Sequence, residues 1–449
     1  MSLGGHALAS KVARTLDRLH GEAGPVGLAL SGGGDSRALA CLIDDWLCQS
    51  GRANETRHAF IVDHALREGS GREARDTADW IRARGWTPHV LTWTESSGGP
   101  GLQERARKAR HILLARACSS IGVRRLALAH TRDDQVETQI MRLTAGGSWR
   151  SLAGMDTLDV SPAWPEGRDL LLTRPVLDQD RQALRAYLRA RGESWIDDPS
   201  NADTAFTRIR IRDSLARHQA APRWRQGFDR LGCDISVLKR FEHNRIARVL
   251  MRVMTLHAWG GAQLDRQAWR DVPHVVKTQA LSLLVEGLAG RSDPVRQPVL
   301  NRLVDAVEAG ETLTGGGVQV FCADGKTVWL IRDPGMVLGR VDHPGGLSVV
   351  LDTQSPQVVD GRYEISTLRA GLIVAPLRND RDLPPNVDLA QIPARARSGL
   401  LAVREGETCL AVLGLPGEGT DQLQISPLIG QRLAWRLFPG QGKAWFYGS

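Results

Sequence analysis

Short apolar runs alternate with helical patterns over the first 215 residues of the chain. Runs with the length of buried strands occupy residues 26–30, 58–62, 89–93 and 125–129. The segments between them carry apolar residues at helical spacing, and these predicted helices cover 36–49, 73–84, 103–119 and a stretch from 133 onward. Alternation of strand and helix predicts a parallel sheet with helices on both faces.

The pattern changes after residue 215, and the change predicts three domains. Residues 216–335 are mostly helical in pattern, with strand-like alternation over 315–332. A stretch rich in glycine and proline, 334–346, predicts a linker. The predicted fold class is α/β, with a doubly wound parallel sheet in residues 1–215, a mostly helical middle domain in 216–335 and a small α+β C-terminal domain in 347–449.

The balance of charge points to an acidic partner. The chain has 58 Lys and Arg against 50 Asp and Glu, a net charge of +8. Residues 181–230 alone hold eleven arginines against six acidic residues. A basic surface favours polyanions through long-range attraction and counterion release, so the charge is compatible with binding of a nucleic acid.

Several protein classes are disfavoured by composition. No apolar run reaches the ~18 residues that a membrane span needs, and the first ten residues lack the basic-then-apolar pattern of a signal peptide. We therefore expect no membrane partner and a cytoplasmic location. The six cysteines form no C-x-x-C pair, which argues against a disulfide scaffold, a zinc ribbon and a cysteine-held iron–sulfur cluster.

A glycine loop, Ser-Gly-Gly-Gly-Asp-Ser at 31–36, directly follows the first predicted strand and precedes a helix. Open α/β sheets bind ligands at this place, outside the carboxyl ends of their strands. Glycines let backbone N–H groups approach a phosphate, and the helix N-terminus adds a partial positive charge. Asp35 would repel a bare phosphate, which indicates a magnesium ion between the two.

Two other glycine-rich nucleotide loops are absent. A G-x-x-x-x-G-K-[ST] loop would end at Gly325, Lys326 and Thr327, but Val320 stands where its first glycine must be. The G-x-G-x-x-G dinucleotide fingerprint fails because Arg37 occupies the last glycine position.

The 31–36 loop instead resembles the signature of the N-type ATP pyrophosphatases, which release pyrophosphate from ATP while AMP goes onto a substrate oxygen. Their members include synthetases for NAD, GMP, argininosuccinate, lysidine and 2-thiocytidine. The resemblance implies an adenine nucleotide α-hydrolase-like fold, with ATP and Mg²⁺ as cofactors and Asp35 at the metal. The implied nucleotide-binding residues of the loop are Ser31, Gly32, Gly33, Gly34, Asp35 and Ser36.

A second polar group follows the fourth predicted strand. Asp134 and Glu137 are three residues apart and share a helix face. His130 lies at the end of the strand, just before that helix. Two carboxylates and an imidazole at the mouth of a sheet can hold a metal ion or accept a proton. The alternative is an acidic first turn that only complements the helix dipole.

Residues 130–138 resemble the H-x-x-x-D-Q-x-E-T pattern of the tRNA(Ile)-lysidine synthetases, and 147–148 and 152–155 continue the likeness. The resemblance implies that His130, Asp134 and Glu137 act, with Asp35, on ATP and substrate. The segment that begins at Val62 and Asp63 resembles the V-D-H-x-L-R stretch of the same family. It implies that these two residues border the adenine pocket.

Two pairs of arginines complete the likeness to this family. Arg107 and Arg110 resemble the basic residues of its E-x-x-A/R-R-x-x-R-Y helix, although His111 replaces the tyrosine, and the likeness implies a catalytic phosphate clamp. A solvated basic face is the alternative. Arg208 and Arg212 resemble the end of its D-P-S-N…R-x-x-I-R stretch and could face an RNA backbone.

The family resemblance implies a tRNA(Ile) with a CAU anticodon and L-lysine as substrates, with the wobble cytidine as the site of modification. It also implies that the domains predicted at 216–335 and 347–449 bind tRNA. A homodimer is one possible assembly. The alternative function is that of another tRNA-modifying enzyme of the superfamily, such as a 2-thiocytidine synthetase. That chemistry is associated with a C-x-x-C pair and an iron–sulfur cluster, and the chain has no such pair.

Overall fold

The computed structural model describes residues 3–65, 69–94, 101–146, 149–196, 210–212, 214, 221–339, 346–377, 383–384, 387–416 and 422–439. The chain divides into two compact units, Met1–Arg240 and Phe241–Ser449. The three predicted domains, 1–215, 216–335 and 347–449, stay a prediction.

The first unit is built on a six-stranded sheet in the order β3-β2-β1-β4-β6-β5. Its strands are β1 (Val26–Ala29), β2 (Arg57–Asp63), β3 (Thr87–Thr92), β4 (Arg125–Ala127), β5 (Leu158–Val160) and β6 (Leu171–Thr173). Every pair is parallel except β5 with β6, which are antiparallel. The sequence predicted the first four strands, including the three-residue β4, whereas β5 and β6 were not predicted.

Helices cover both faces of this sheet, as predicted. They are α1 (Leu3–His20), α2 (Gly34–Gln49), α3 (Ser70–Arg82), α4 (Leu102–Ser120), α5 (Arg132–Thr144), a 3₁₀ turn (Trp149–Ala153), α6 (Arg181–Ala190) and α7 (Ala221–Val253), the last of which crosses the unit boundary. Alternate residues of β2 enter two separate cores. Ala59 and Ile61 pack with Leu39 of α2, and Phe60 packs with Leu114 of α4. This alternation is the mark of a sheet buried on both sides.

The second unit contains antiparallel sheets. A five-stranded sheet, β7-β8-β11-β10-β9, is formed by Met254–Leu256, Ala262–Asp265, Leu313–Gly315, Val318–Cys322 and Thr327–Arg332. Its helices are α8 (Arg266–Arg270), α9 (His274–Leu288), α10 (Gln297–Ala309) and α11 (Pro334–Leu338). The last three strands confirm the alternation predicted over 315–332, whereas β7 and β8 were not predicted within the helical pattern.

The C-terminal part adds two small antiparallel sheets, β12-β15-β16-β17 and β13-β14-β18. In chain order, strands β12 to β18 are Val349–Val350, Gln357–Val359, Tyr363–Thr367, Ile373–Pro376, Leu401–Glu405, Thr408–Val412 and Leu423–Pro427. This part also contains helices α12 (Ala394–Arg397) and α13 (Ile429–Leu437). Ile429 and Leu433 of α13 pack in the same core as Leu284 of α9. None of the helices described is long and apolar enough to cross a membrane.

A buried histidine makes the first unit sensitive to acid. His20 ends α1, is 5% exposed, and its Nε2 lies 2.8 Å from Thr173 Oγ1. Burial, together with the charges of Arg125 and Arg52, lowers the pKa of His20 from its usual 6.5 to about 4. Its neutral form stabilises the fold fully above pH 6.5. This contribution is lost progressively as pH falls towards 4. The loss of folding free energy at pH 4 is about 3 kcal/mol.

Replacing His20 with glutamine is therefore expected to flatten the loss of stability between pH 6.5 and pH 4. The amide can still hydrogen-bond to Thr173 but binds no proton in this range. Urea unfolding of variant and parent at half-unit pH steps measures the difference. Parallel curves for the two proteins would contradict a titrating His20.

Candidate active site

The glycine loop connects β1 to α2 at the carboxyl edge of the parallel sheet. Helix α2 begins at Gly34, with Gly33 as its N-cap. The loop is closed on itself because Ser36 Oγ donates to the Gly33 carbonyl at 2.9 Å and lies 3.2 Å from Ser31 Oγ. The predicted strand–loop–helix arrangement is confirmed, and the first amides of α2 lie in the loop.

The three glycines have different structural reasons. Gly32 has φ +80°, and a Cβ there would lie 2.5 Å from Thr77 Oγ1. A Cβ at Gly34 would lie 3.3 Å from the ring of Trp195. Among the described residues, a Cβ at Gly33 would meet nothing closer than 3.5 Å, so these atoms do not demand a glycine at this position. An open backbone at Gly33 is what a closely approaching ligand would require.

One arginine joins the three carboxylates that the sequence singled out. Arg181, the first residue of α6, donates from Nε to Asp35 Oδ2 at 3.0 Å and from Nη2 to Asp134 Oδ1 at 2.9 Å. Its Nη1 lies 3.5 Å from Glu137 Oε1. The glycine loop and helix α5 therefore contribute their acidic side chains to one cluster, which we call the carboxylate cluster: Asp35, Asp134 and Glu137.

Helix α5 fixes the direction of Asp134. Thr131 is the N-cap of α5, and its backbone N–H and hydroxyl both donate to Asp134 Oδ2 at 2.9 Å, completing a capping box. The other oxygen, Oδ1, is left for Arg181. The predicted alternative was an acidic turn that complements the helix N-terminus. Asp134 does this as part of the capping box, and it also accepts a hydrogen bond from Arg181.

The pKa values in the cluster differ between the two aspartates. Burial raises the pKa of Asp35, although Arg181 opposes the rise. Burial would also raise the pKa of Asp134, but Arg181 and the Thr131 amide outweigh it and the net pKa is lowered. Asp35 Oδ1 is buried and has no hydrogen-bond partner within the described part of the chain. Asp35 therefore has one carboxylate oxygen without a hydrogen-bond partner among the described residues. A further positive charge beside this oxygen would stabilise the ionised carboxylate.

Two more of the predicted residues, Arg212 and His130, interact with members of the carboxylate cluster. Arg212 donates to Glu137, from Nε to Oε1 at 2.9 Å, and Glu137 is only 2% exposed. His130 lies close enough to Asp134 to lower the pKa of that carboxyl. Arg208 lies outside the described residues, as do 147–148 and the Asp-Pro-Ser-Asn segment at 198–201.

Two predicted groups make no described contact with the carboxylate cluster. Val62 and Asp63 end β2, the neighbour of β1, and Asp63 Oδ1 accepts a hydrogen bond from the Ala65 amide at 2.9 Å. Arg107 and Arg110 lie on α4. Burial, and then the charge of Arg107, lowers the pKa of Arg110.

Arg107 also belongs to a wider group of cations. Burial lowers the pKa of Arg142 and of Arg174, and the charge of Arg107 adds to both shifts. Arg174, directly after β6, is 7% exposed, and its Nε has no partner within the described residues. Asp156 and Asp159 lie among these guanidinium groups and oppose the shifts of Arg142 and Arg174, so the group is one of mixed charge.

Arg181 is the residue that the sequence did not reveal. In the sequence it is only the first arginine of the basic stretch 181–230. Its partners Asp134 and Asp35 lie 47 and 146 residues away, so no local spacing connects them. The one available signal was its position at the start of a helix that follows the last parallel strand.

Comparison with known proteins agrees with this geometry. Residues 7–219, which include the loop and the carboxylate cluster, match a family described as the PP-loop domain, and this membership implies ATP binding. A tRNA(Ile)-lysidine synthase of Hyphomonas neptunium is 36% identical over 299 residues, covering 65% of this chain and 77% of the relative. That of Mesorhizobium japonicum is 30% identical, covering 93% and 88%.

A third such synthase, from Caulobacter vibrioides, is 29% identical and covers 90% of this chain and 88% of its own. Among solved structures, a U34-tRNA thiolase of Methanococcus maripaludis, with a [4Fe-4S] cluster, has a TM-score of 0.40 and 16% identity, covering 51% of this chain and 80% of the thiolase. The sequence matches extend beyond the PP-loop domain into the second unit. The chain belongs to the tRNA(Ile)-lysidine synthase family.

Proposed function

We propose that this chain uses ATP to convert the wobble cytidine of a tRNA(Ile) with a CAU anticodon into lysidine, with L-lysine as the second substrate. The observation that carries the proposal is the carboxylate cluster, which Arg181 holds beside the glycine loop. The glycine loop would bind the phosphates of the nucleotide, and the three acidic side chains at the same sheet edge would accept a proton from the attacking amine or bind Mg²⁺.

Asp35 is the residue that we assign to Mg²⁺. Magnesium is commonly held by one or two carboxylates together with substrate phosphates, and Asp35 Oδ1 is a buried oxygen without a partner in the described structure. No group of three or more acidic, His or Cys residues suited to a metal occurs among the described residues, and the phosphates of ATP would supply further ligands. When bound, the ion would neutralise charge on the leaving pyrophosphate.

The first step activates the base. The C2 oxygen of cytidine attacks the α-phosphorus of ATP, an O–P bond forms, and pyrophosphate leaves with the electrons of the broken P–O bond. The amides of the glycine loop, Ser31 and Ser36 would hold the phosphates, and Val62 and Asp63 would border the adenine. Arg107 and Arg110 would stabilise the charge that develops.

The second step forms the C–N bond. The ε-amine of lysine attacks C2, loses a proton, and AMP leaves with the activated oxygen. An unperturbed lysine amine has a pKa of ~10.4 and must be deprotonated before it attacks. His130, Asp134 and Glu137 are the candidate acceptors at this edge. Arg212 contacts Glu137. We therefore propose that the RNA contact predicted for Arg212 lies at the mouth of this site. Arg208 remains a predicted RNA contact.

The proposal is tested by analysing tRNA nucleosides by mass spectrometry after incubation with ATP, Mg²⁺ and isotopically labelled lysine. We expect labelled lysidine, with one AMP and one pyrophosphate for each modified cytidine. Pyrophosphate release without label in the RNA would reject the lysidine assignment. Sulfur incorporation would support the alternative, a 2-thiocytidine synthetase. A cytoplasmic location and a homodimer remain expectations, the second measurable by sedimentation.

A further inference from the structure

The segment of α7 that lies in the second unit has one buried and one exposed face. Ile246, Leu250 and Val253 pack into the core of the five-stranded sheet and its helices. The opposite face carries Phe241, Arg245, Arg248 and Arg252, and all four are exposed. These positions, i, i+4, i+7 and i+11, fall on one stripe of a helix with 3.6 residues per turn.

This stripe forms one wall of a groove of about 570 Å³. We call it the arginine groove, and we define it by six lining residues: Phe241, Arg245, Arg248, Arg252, Asp271 and Pro273. Its three guanidiniums face a single carboxylate, so the groove has a net positive charge. Exposed arginines usually reduce such repulsion by pairing with acidic neighbours.

The three arginines of the groove are not neutralised in this way. None of them forms an ion pair with a carboxylate in the described parts of the chain, and Arg248 Nε donates only to the Asn244 carbonyl at 3.3 Å. Seven residues separate Arg245 from Arg252, which corresponds to about 10 Å along the helix. That length corresponds to roughly three phosphates of one strand in a duplex and to fewer in a more extended single strand.

Phe241 gives the groove a second property. It is 65% exposed, although an exposed aromatic ring loses the free energy of burial. Aromatic rings beside a track of arginines are typical of surfaces that bind single-stranded RNA, because bases stack on the ring while guanidiniums contact phosphates. A second copy of the chain fits poorly, since a symmetric contact would bring like charges together.

We propose that the arginine groove binds a single-stranded stretch of the tRNA substrate, with its backbone on Arg245, Arg248 and Arg252 and one base stacked on Phe241. This inference rests on the proposed function for the identity of the RNA. It adds an RNA contact on the unit that does not contain the glycine loop.

The charge is tested in the full chain by the double variant Arg248→Gln/Arg252→Gln. The matched control, Arg296→Gln/Arg302→Gln, removes two exposed arginines of the same unit. Affinity for tRNA is measured without ATP or lysine over a range of salt concentrations. We expect the groove variant to bind about tenfold more weakly, with a salt slope smaller by about 1.5, whereas the control binds as the parent does.

The aromatic contact is tested by Phe241→Ala against Phe241→Tyr. Loss of a stacked base should weaken binding at least about fivefold in the alanine variant without changing the salt slope, and tyrosine should restore it. Equal affinity in groove and control variants, or a changed oligomeric state with unchanged RNA affinity, would overturn the proposal. Because binding is measured without catalysis, a failure of lysidine formation is a separate result that leaves the groove assignment standing.

Discussion

Replacing Asp35 with alanine is expected to slow release of pyrophosphate from ATP by about 10³-fold, with the affinity for tRNA within twofold of the parent. The carboxylate is the only member of the cluster on the glycine loop, and its free, buried Oδ1 is the oxygen assigned to Mg²⁺. Losing a preorganised electrostatic contact at a reacting phosphate has effects of this size. A phosphate-based assay of released pyrophosphate and filter binding of tRNA give the two quantities.

The variant should fold, because burial already raises the pKa of Asp35 and its ionised form is not strongly stabilised. Asp76→Ala removes an exposed aspartate of α3 and serves as the matched control. Full activity of the Asp35 variant across a magnesium titration would exclude Asp35 from the metal role. Equal losses of activity and tRNA affinity would indicate general damage to the unit.

Replacing Arg181 with methionine is expected to destabilise the protein by about 3–5 kcal/mol at pH 7 and to abolish adenylation. Its guanidinium contacts all three carboxylates, and removing one partner of a partly buried ion cluster leaves the other charges uncompensated. Chemical unfolding gives the free energy, and pyrophosphate release gives the activity. Arg14→Met, an exposed arginine of α1, controls for loss of a surface charge.

The pH dependence separates a charge role from simple packing. In the parent, the lowered pKa of Asp134 stabilises the fold above its unfolded pKa, and this stability is lost as pH falls through the folded value. Without Arg181, burial should raise the pKa of the cluster, so the variant should become more stable as pH falls from 7 towards 5. A pH-independent loss of stability would show that Arg181 acts only by filling space.

Local signals sufficed for the parts of the site that are contiguous in sequence. The loop at 31–36 and the polar group after β4 each combine a strand end, a turn and a helix start within ten residues, so pattern alone places them at one sheet edge. Arg181 and the pairing of Arg212 with Glu137 depend on how α6 and later residues pack against that edge. Such packing is decided by the whole fold, and single-sequence periodicity does not contain it.

The same distinction explains the fold predictions. The first four strands and the helices between them have enough apolar residues to show their period, and both are confirmed. Strands β5 and β6 pair antiparallel with no helix between them, so they break the strand–helix alternation from which the equally short β4 was predicted. In the second unit, β7 and β8 lie between long helices, where a helical pattern on either side conceals them.

The capping box of α5 links the mechanics of that helix to its chemistry. Helix ends fray, and the first turn of α5 is held by the hydroxyl and amide of Thr131 on one oxygen of Asp134. Each opening of that turn would release Asp134 and withdraw one of the three anchors of Arg181. Thermal loosening of a single helical turn would thus disorganise the carboxylate cluster well below the temperature at which the domain melts.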